Sequence, residues 1–320
     1  MPKLKTGSTL RRDLGFAAYE YMMQASQRGF IGLQILPMFD VVDQTANYPV
    51  ITLESMLKLP DTIQRAPRGN YARDDYEIET GTYQCVEYGQ EALLDDVERA
   101  LYNDYYEPEE FAVQRAVDKI LRMQEKRIAG KVFNTANITQ TSGVSVEWST
   151  AATCTPRVDV MTAVESMRTS SGIEPNVMAI SIKVFRNLLR AAEVTDALKY
   201  TNPIELGSFE AQRRILSQYF GLELVVGNAI YDSAKKGKAY SIADIWDDEY
   251  CGLFKVAGTR DIQEPSLGRT FLWTEDSPEN VVVEQYREEQ KRSDVFRARH
   301  HVDERFIFTG AGYLLSNITA

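Results

Sequence analysis

Histidine is almost missing from this chain. Its 320 residues contain two, His300 and His301, and they are adjacent. Hydrolytic triads, zinc sites and proton relays draw on histidine, often at spaced positions, so this poverty argues against all three. Cysteine is scarce too. Cys85, Cys154 and Cys251 lie far apart and are odd in number, which excludes a disulfide framework and reads as three reduced thiols of an intracellular protein. No uncharged apolar run approaches about 18 residues, so no membrane-spanning helix is expected. The N-terminus, Met1-Pro-Lys-Leu-Lys, lacks an apolar stretch of signal-peptide length, so nothing directs export. Basic charge is in deficit: 36 Lys and Arg against 46 Asp and Glu give a net charge of −10. A dedicated duplex-DNA binder needs a concentrated basic face, and that balance speaks against one.

Phosphate-binding motifs are absent as well. There is no Gly-x-x-x-x-Gly-Lys-Ser/Thr loop, and Gly310-Ala-Gly312 has no helix after it to complete a dinucleotide fingerprint. There is no Cys-x-x-Cys and no His-x-x-x-His. Asp244, Asp247, Asp248 and Glu249 lack the spaced oxygens and mid-loop glycine of a calcium loop, and read as a solvated turn. Asp95-Asp96 and Glu109-Glu110 read as caps or solvated faces. If His300 and His301 lie in a strand, their side chains point to opposite faces, which hinders joint use. No catalytic residue, metal or cofactor is therefore expected.

What remains is ordinary globular composition, 44% hydrophobic and 26% charged, enough for one large domain or two smaller ones. No repeat of 20 to 50 residues is found. Residues 1–30 open as a basic arm with Lys3, Lys5, Arg11 and Arg12, followed by a short helical segment at Phe16 to Met23. A solvated tail is the ordinary role of such an arm; contact with DNA or a scaffold is the alternative. Tyr48-Pro-Val-Ile-Thr-Leu53 and Tyr76-Glu-Ile-Glu-Thr-Gly-Thr-Tyr83 read as strands around a breaker-rich polar connection. That predicts a long protruding hairpin, which is marginal alone and needs a partner surface.

Residues 109–130 carry the best helix signal. Pro108 and two acids begin it, Val113, Val117, Ile120, Leu121 and Ile128 share one face, and Gly130 is a candidate stop. At 1.5 Å per residue this makes a rod of roughly 30 Å. Residues 135–155 are Thr/Ser-rich and read as a linker or surface hairpin. Residues 156–275 read as a compact α/β unit: helices at Pro156–Arg168, Lys183–Glu193 and Ser208–Phe220, strands at 177–182, 221–226 and 251–256. Residues 280–319 return to β texture. In Val295 to Glu304, Phe296, Ala298, His300 and Val302 share one face, with Arg297, Arg299, His301 and Asp303 on the other. The end, Gly310 to Ile318, suits packing back on a core. Seventeen tyrosines, seven of them at Tyr71, Tyr76, Tyr83, Tyr88, Tyr102, Tyr105 and Tyr106, favour contact with other copies.

This order of elements resembles the major capsid protein of tailed double-stranded DNA bacteriophages, the Hong Kong 97-type capsid fold. The phrases that carry it are Tyr76 to Asp96 and Glu284 to Glu304, continuing through Gly312 to Ile318. The resemblance implies an α+β fold with an N-terminal arm (1–44), an extended hairpin loop (45–90) and a peripheral domain (91–155) with a spine helix at 110–130. An axial domain (156–279) and a C-terminal β ribbon returning to the peripheral domain (280–320) complete it. It implies hexamers and pentamers in an icosahedral shell around packaged DNA, held without sequence-specific binding and without a membrane. The shell would assemble in a host bacterial cytoplasm and persist as the virion, with a portal and a decoration protein as further partners. No scaffolding segment precedes the arm, so a separate scaffolding protein is expected. The loop has one lysine, Lys58, with no assignable asparagine, so no covalent crosslink is expected. Intersubunit contacts are expected from Lys58, Arg65, Arg68 and Arg73 in the loop, facing Glu109, Glu110, Asp303 or Glu304, with Arg297 and Arg299 on the ribbon. Two other readings stand beside it: a cellular nanocompartment with protein cargo on the same fold, and, more remotely, an α/β enzyme.

Overall fold

The computed structural model describes residues 9–10, 29–51, 58–59, 63–65, 67–71, 78–103, 107–199 and 208–319. The arm helix expected at 16–23, the four arm cations Lys3, Lys5, Arg11 and Arg12, and Arg73 lie outside these.

The first half of the chain holds β1 (Thr9–Leu10), α1 (Gly32–Ile35), β2 (Met38–Val41), β3 (Thr45–Ile51), β4 (Ile78–Gln84), β5 (Val86–Asp95), α2 (Asp96–Tyr102), α3 (Pro108–Val132) and β6 (Thr141–Gly143). Next come α4 (Pro156–Ser171), β7 (Val177–Ser181), α5 (Ile182–Arg190), α6 (Ala192–Leu198), α7 (Phe209–Phe220) and β8 (Glu223–Gly227). The chain then runs through β9 (Ile230–Asp232), β10 (Ile242–Asp244), β11 (Cys251–Phe254), β12 (Gly268–Trp273), β13 (Val282–Glu288), β14 (Ser293–Phe306) and β15 (Gly312–Ser316).

Two sheets organise the molecule. The first is built on β14, the longest strand. β13 pairs with its residues 293–299 and β12 with 302–306, while β5 pairs with 293–302. Val302 is in register with both Val86 and Leu272, so β5 and β12 lie on opposite edges of β14. The second sheet runs β6-β15-β11-β7-β8, with β7 and β8 parallel. A parallel pair needs a crossover, and α5, α6 and α7 supply it. Each helix carries local signals. Ser181 caps α5 through Val184 N, Ser208 caps α7 through Ala211 N, and Gly221 ends α7 at φ +73°.

Helix α3 joins two cores. Proline at its first position and Glu109 and Glu110 in its first turn suit its start. Val113, Val117, Ile120 and Leu121 pack against Phe296, Ala298, Val281 and Val283 of the β14 sheet. Ile128, Ala129 and Val132 belong instead to the larger core around Trp148, Trp246, Phe185 and Phe254. Glu125 sits at the join, 3% exposed. Its carboxylate accepts from Ile31 N at 2.7 Å, Gly32 N at 2.9 Å and Trp246 Nε1 at 2.7 Å. Burial raises its pKa despite those three donors.

Several expectations need correction. The long helix passes Gly130 and ends at Val132, because Gly130 keeps helical geometry and the stop comes with Phe133. Residues 135–155 are no linker. Trp148 is fully buried, its Nε1 donates to Asp159 at 2.9 Å, and β6 pairs in parallel with β15. The helix expected over 183–193 breaks at Ala191, whose ψ of 128° is extended. The hairpin ends at Gln84, because β5 leaves it for the β14 sheet. The last strand, expected with the ribbon, completes the second sheet beside β11. β14 is buried on both faces: α3 packs on the side of Phe296 and Ala298, and Asp276 and Ser277 lie against Arg299 and His301 on the polar side.

Candidate assembly surface

The base of the hairpin is fixed by aromatic packing. Tyr83 stacks on Phe271 with centroids 4.6 Å apart, and Tyr48 leans on the same ring at 5.3 Å. Gly81 leaves the space that the Tyr48 ring fills; a Cβ there would overlap that ring. Cys85 is buried beneath, and burial pushes its thiol up to about 11, so it is an inert packing group. Asp303 closes the base. Its carboxylate accepts from Gln84 N at 2.9 Å and pairs with Arg305 at 2.7 Å.

The tip is different. Leu59, Ile63 and Tyr71 are 86%, 84% and 72% exposed. Arg65 curls over its own segment: Nε donates to Gly69 O at 2.6 Å, Nη1 to Tyr71 OH at 3.2 Å, and the guanidinium lies 4.8 Å from the Tyr71 ring centre. Arg68 takes a left-handed φ of 65°, which makes the turn. Lys58, Arg65 and Arg68 are all exposed.

The remaining candidates separate by burial. Glu304 is 3% exposed and bound inside the subunit, to Arg127 at 2.8 Å and Lys131 at 3.1 Å, both from α3. Burial raises its pKa, but these two cations outweigh that and hold it below the usual range. Arg299 is buried between Glu284, at 2.8 Å, and Asp276, which also meets His301 Nδ1 at 2.8 Å. Glu109 pairs with Arg99, which reaches Asp294 at 2.9 Å. Arg297 pairs with Glu91 at 2.7 Å beside Tyr286. Opposite charges placed by α3, β5 and β13 thus meet the charged side chains of the ribbon within the subunit. Glu110 alone among the named acids stays exposed, accepting from Gln114 one turn on, at 3.0 Å. It borders an open cleft of about 510 Å³ with Glu107, Phe111 and Gln114. Phe111 is 55% exposed, and Val97 and Leu101 of α2 are 68% and 60% exposed.

His300 is completely buried, and among the described residues neither ring nitrogen has a hydrogen-bond partner. Its ring meets Tyr88 edge-on at 6.0 Å, and Arg127 lies 3.8 Å over that tyrosine. Burial, helped by the Arg127 charge, pushes His300 down to about 3, so the imidazole is neutral at ordinary pH. The three cysteines are free and buried. Among the described residues, no group of three or more His, Cys, Asp or Glu is placed to hold a metal ion. No helix among them is long and apolar enough to cross a membrane.

No protein-family model matches the chain, and no curated protein sequence matches it significantly. Solved structures match along nearly its whole length. A phage-related protein from Bordetella bronchiseptica superposes with a TM-score of 0.70 at 21% identity, covering 98% of this chain and 99% of that one. The capsid of cyanophage P-SCSP1u gives 0.57 at 11% identity over 88% and 86%. The SrpI encapsulin from Synechococcus elongatus gives 0.56 at 11% over 89% and 86%. The chain therefore has the Hong Kong 97-type capsid fold, an α+β architecture found in both virus capsids and encapsulin shells.

Proposed function

We propose that this chain is the major capsid protein of a tailed double-stranded DNA phage, assembling through hexamers and pentamers into an icosahedral head. The observation that carries this is the hairpin tip: three large apolar side chains more than two-thirds exposed, on a ribbon that pairs only with itself among the described residues. Such a ribbon is marginal in water and gains stability by lying on another copy. On this reading residues 45–84 reach over a neighbour, α3 is the spine of a peripheral domain, and residues 156–279 line the capsomer centre. The tip cations Lys58, Arg65 and Arg68 meet acids of the adjoining subunit. Glu110 is the favoured one, because Glu109, Asp303 and Glu304 already have partners at home. Each exposed pair contributes only about 0–1 kcal/mol, so the tip acts collectively.

Deleting residues 60–72 tests this. The expected result is a folded, soluble subunit that forms no shells; intact shells from that variant would sink the proposal.

A second reading is supported by the encapsulin match, whose TM-score of 0.56 is level with the cyanophage capsid's 0.57. On it the same shell encloses a protein cargo. Particles purified from the native source and assayed for nucleic acid separate the two: packaged DNA supports the phage head, and a single co-purifying protein without DNA supports the compartment.

A further inference from the structure

A cavity of about 300 Å³ opens beside the parallel pair β7 and β8. Its walls include Val225 and Val226, near the carboxyl end of β8, and Ile182, the residue that follows β7. In open α/β sheets, crevices at the carboxyl ends of parallel strands are where ligands bind. Arg186 from α5 and Arg213 from α7 line the same cavity, and so do Phe209 and Glu210 from the first turn of α7.

The charges are unbalanced. Arg213 pairs with Glu210 at 2.9 Å. Arg186 makes no ion pair and no hydrogen bond among the described residues, and its charge acts on Asp244 from a distance. The cavity wall thus carries two guanidiniums and one carboxylate, in a chain whose net charge is −10. Two guanidiniums lining one cavity can take a phosphoryl group, because each fork offers paired N–H donors to anionic oxygens. The remaining wall mixes apolar Ile31, Ile182, Val225 and Val226 with polar Gln34 and Asn228, and adds one ring. Phe209 is 42% exposed and is held by Phe185 at a centroid distance of 5.1 Å. A fixed, half-open ring of this kind is a stacking surface for a planar base.

We propose that this cavity binds a nucleoside monophosphate, the phosphate between Arg186 and Arg213 and the base against Phe209. The site is built from the residues of one subunit, so it is testable on the unassembled subunit.

The test is calorimetric titration at low salt with three probes: adenosine monophosphate, adenosine and inorganic phosphate. The monophosphate is expected to bind the wild type more tightly than either of the others. Arg186→Gln and Arg213→Gln are each expected to weaken it about tenfold or more, with circular dichroism confirming the fold. Glu210→Gln is expected to strengthen it, because the competing carboxylate leaves Arg213; a damaged fold does not produce a gain. Absence of monophosphate binding by the wild type, or equal affinity in Arg186→Gln, would overturn the site. Phosphate binding as tightly as the monophosphate would overturn the role of Phe209 and the nucleotide assignment with it.

Discussion

The hairpin tip and strand β14 both carry charge and are opposite in what surrounds it. Around β14, Glu304 meets Arg127 and Lys131 of α3 on one face, and Arg299 meets Glu284 and Asp276 on the other. At the tip, among the described residues, Arg65 is satisfied by its own segment, while Leu59 and Ile63 face water. Charge in the sequence is thus a poor guide to which residues meet a partner. Burial decides it: a buried ion must find its counter-ion within the fold, because leaving it unpaired costs several kcal/mol. An exposed ion has no such requirement and remains available.

The sharpest break of that contrast is Glu304→Ala. It strands two cations against the sheet, and a loss of about 3–5 kcal/mol in denaturant unfolding is expected. Glu110→Ala, one of the exposed acids, should stay within about 0.5 kcal/mol of wild type. Equal effects would erase the distinction between the two regions.

Glu125→Gln comes next. A glutamine amide keeps one acceptor and turns an NH2 toward donors that now meet carboxylate oxygens. A loss of about 1–3 kcal/mol in thermal unfolding is expected, with the join between the two cores weakened first. A neutral effect would show that α1 and Trp246 are held without it.

Acidity probes the surroundings of β14 directly. His300 is held at about 3, below the ordinary 6.5, by burial and then by Arg127, with Glu304 opposing and His301 adding slightly. The unfolded chain therefore takes up a proton at His300 before the folded one does. Stability is highest above about pH 6.5 and falls by about 1.4 kcal/mol per unit as pH drops toward 3. Glu304, held low by its cations, adds a second loss in the same direction below about pH 4.5. Denaturant midpoints between pH 6.5 and 5 should show that slope in wild type and a flatter one in His300→Phe. Identical slopes would remove His300 from the account.

The smallest effect on the subunit is expected at the tip. Arg65→Ala should change unfolding by less than about 0.5 kcal/mol. Its effect should appear only in sedimentation of assembled particles.

The elements written in local pattern were legible. The α3 periodicity, the proline and acids at its start, the alternation of 76–83 and the apolar run at 177–182 each lie near where the sequence puts them. What failed was non-local. Nothing near Trp148 reveals that β6 borrows its partner from β15, 173 positions on in register. Nor does the alternation in 295–304 show that α3 covers one face and the segment at Asp276 and Ser277 the other. Of the candidate contacts, the exposure of Lys58, Arg65, Arg68 and Glu110 was readable, because turn residues and a helix's first turn are exposed by construction. The burial of Glu304 and Arg299 was not, because their counter-ions come from α3 and β13. Glu125 and the Arg186–Arg213 cavity left no sequence signal, since their parts are brought together only by the crossover and by α1.

The central claim is that the hairpin tip joins one copy of this chain to the next in a closed shell. Size-exclusion chromatography of the purified wild type and of the variant lacking 60–72, followed by negative-stain electron microscopy of the excluded fraction, tests it most directly. Uniform round shells or hexameric and pentameric rings from the wild type, and only folded subunits from the variant, are the predicted result. A wild type that stays monomeric at every concentration and salt, with scaffold co-expressed, or shells that survive loss of the tip, would contradict it.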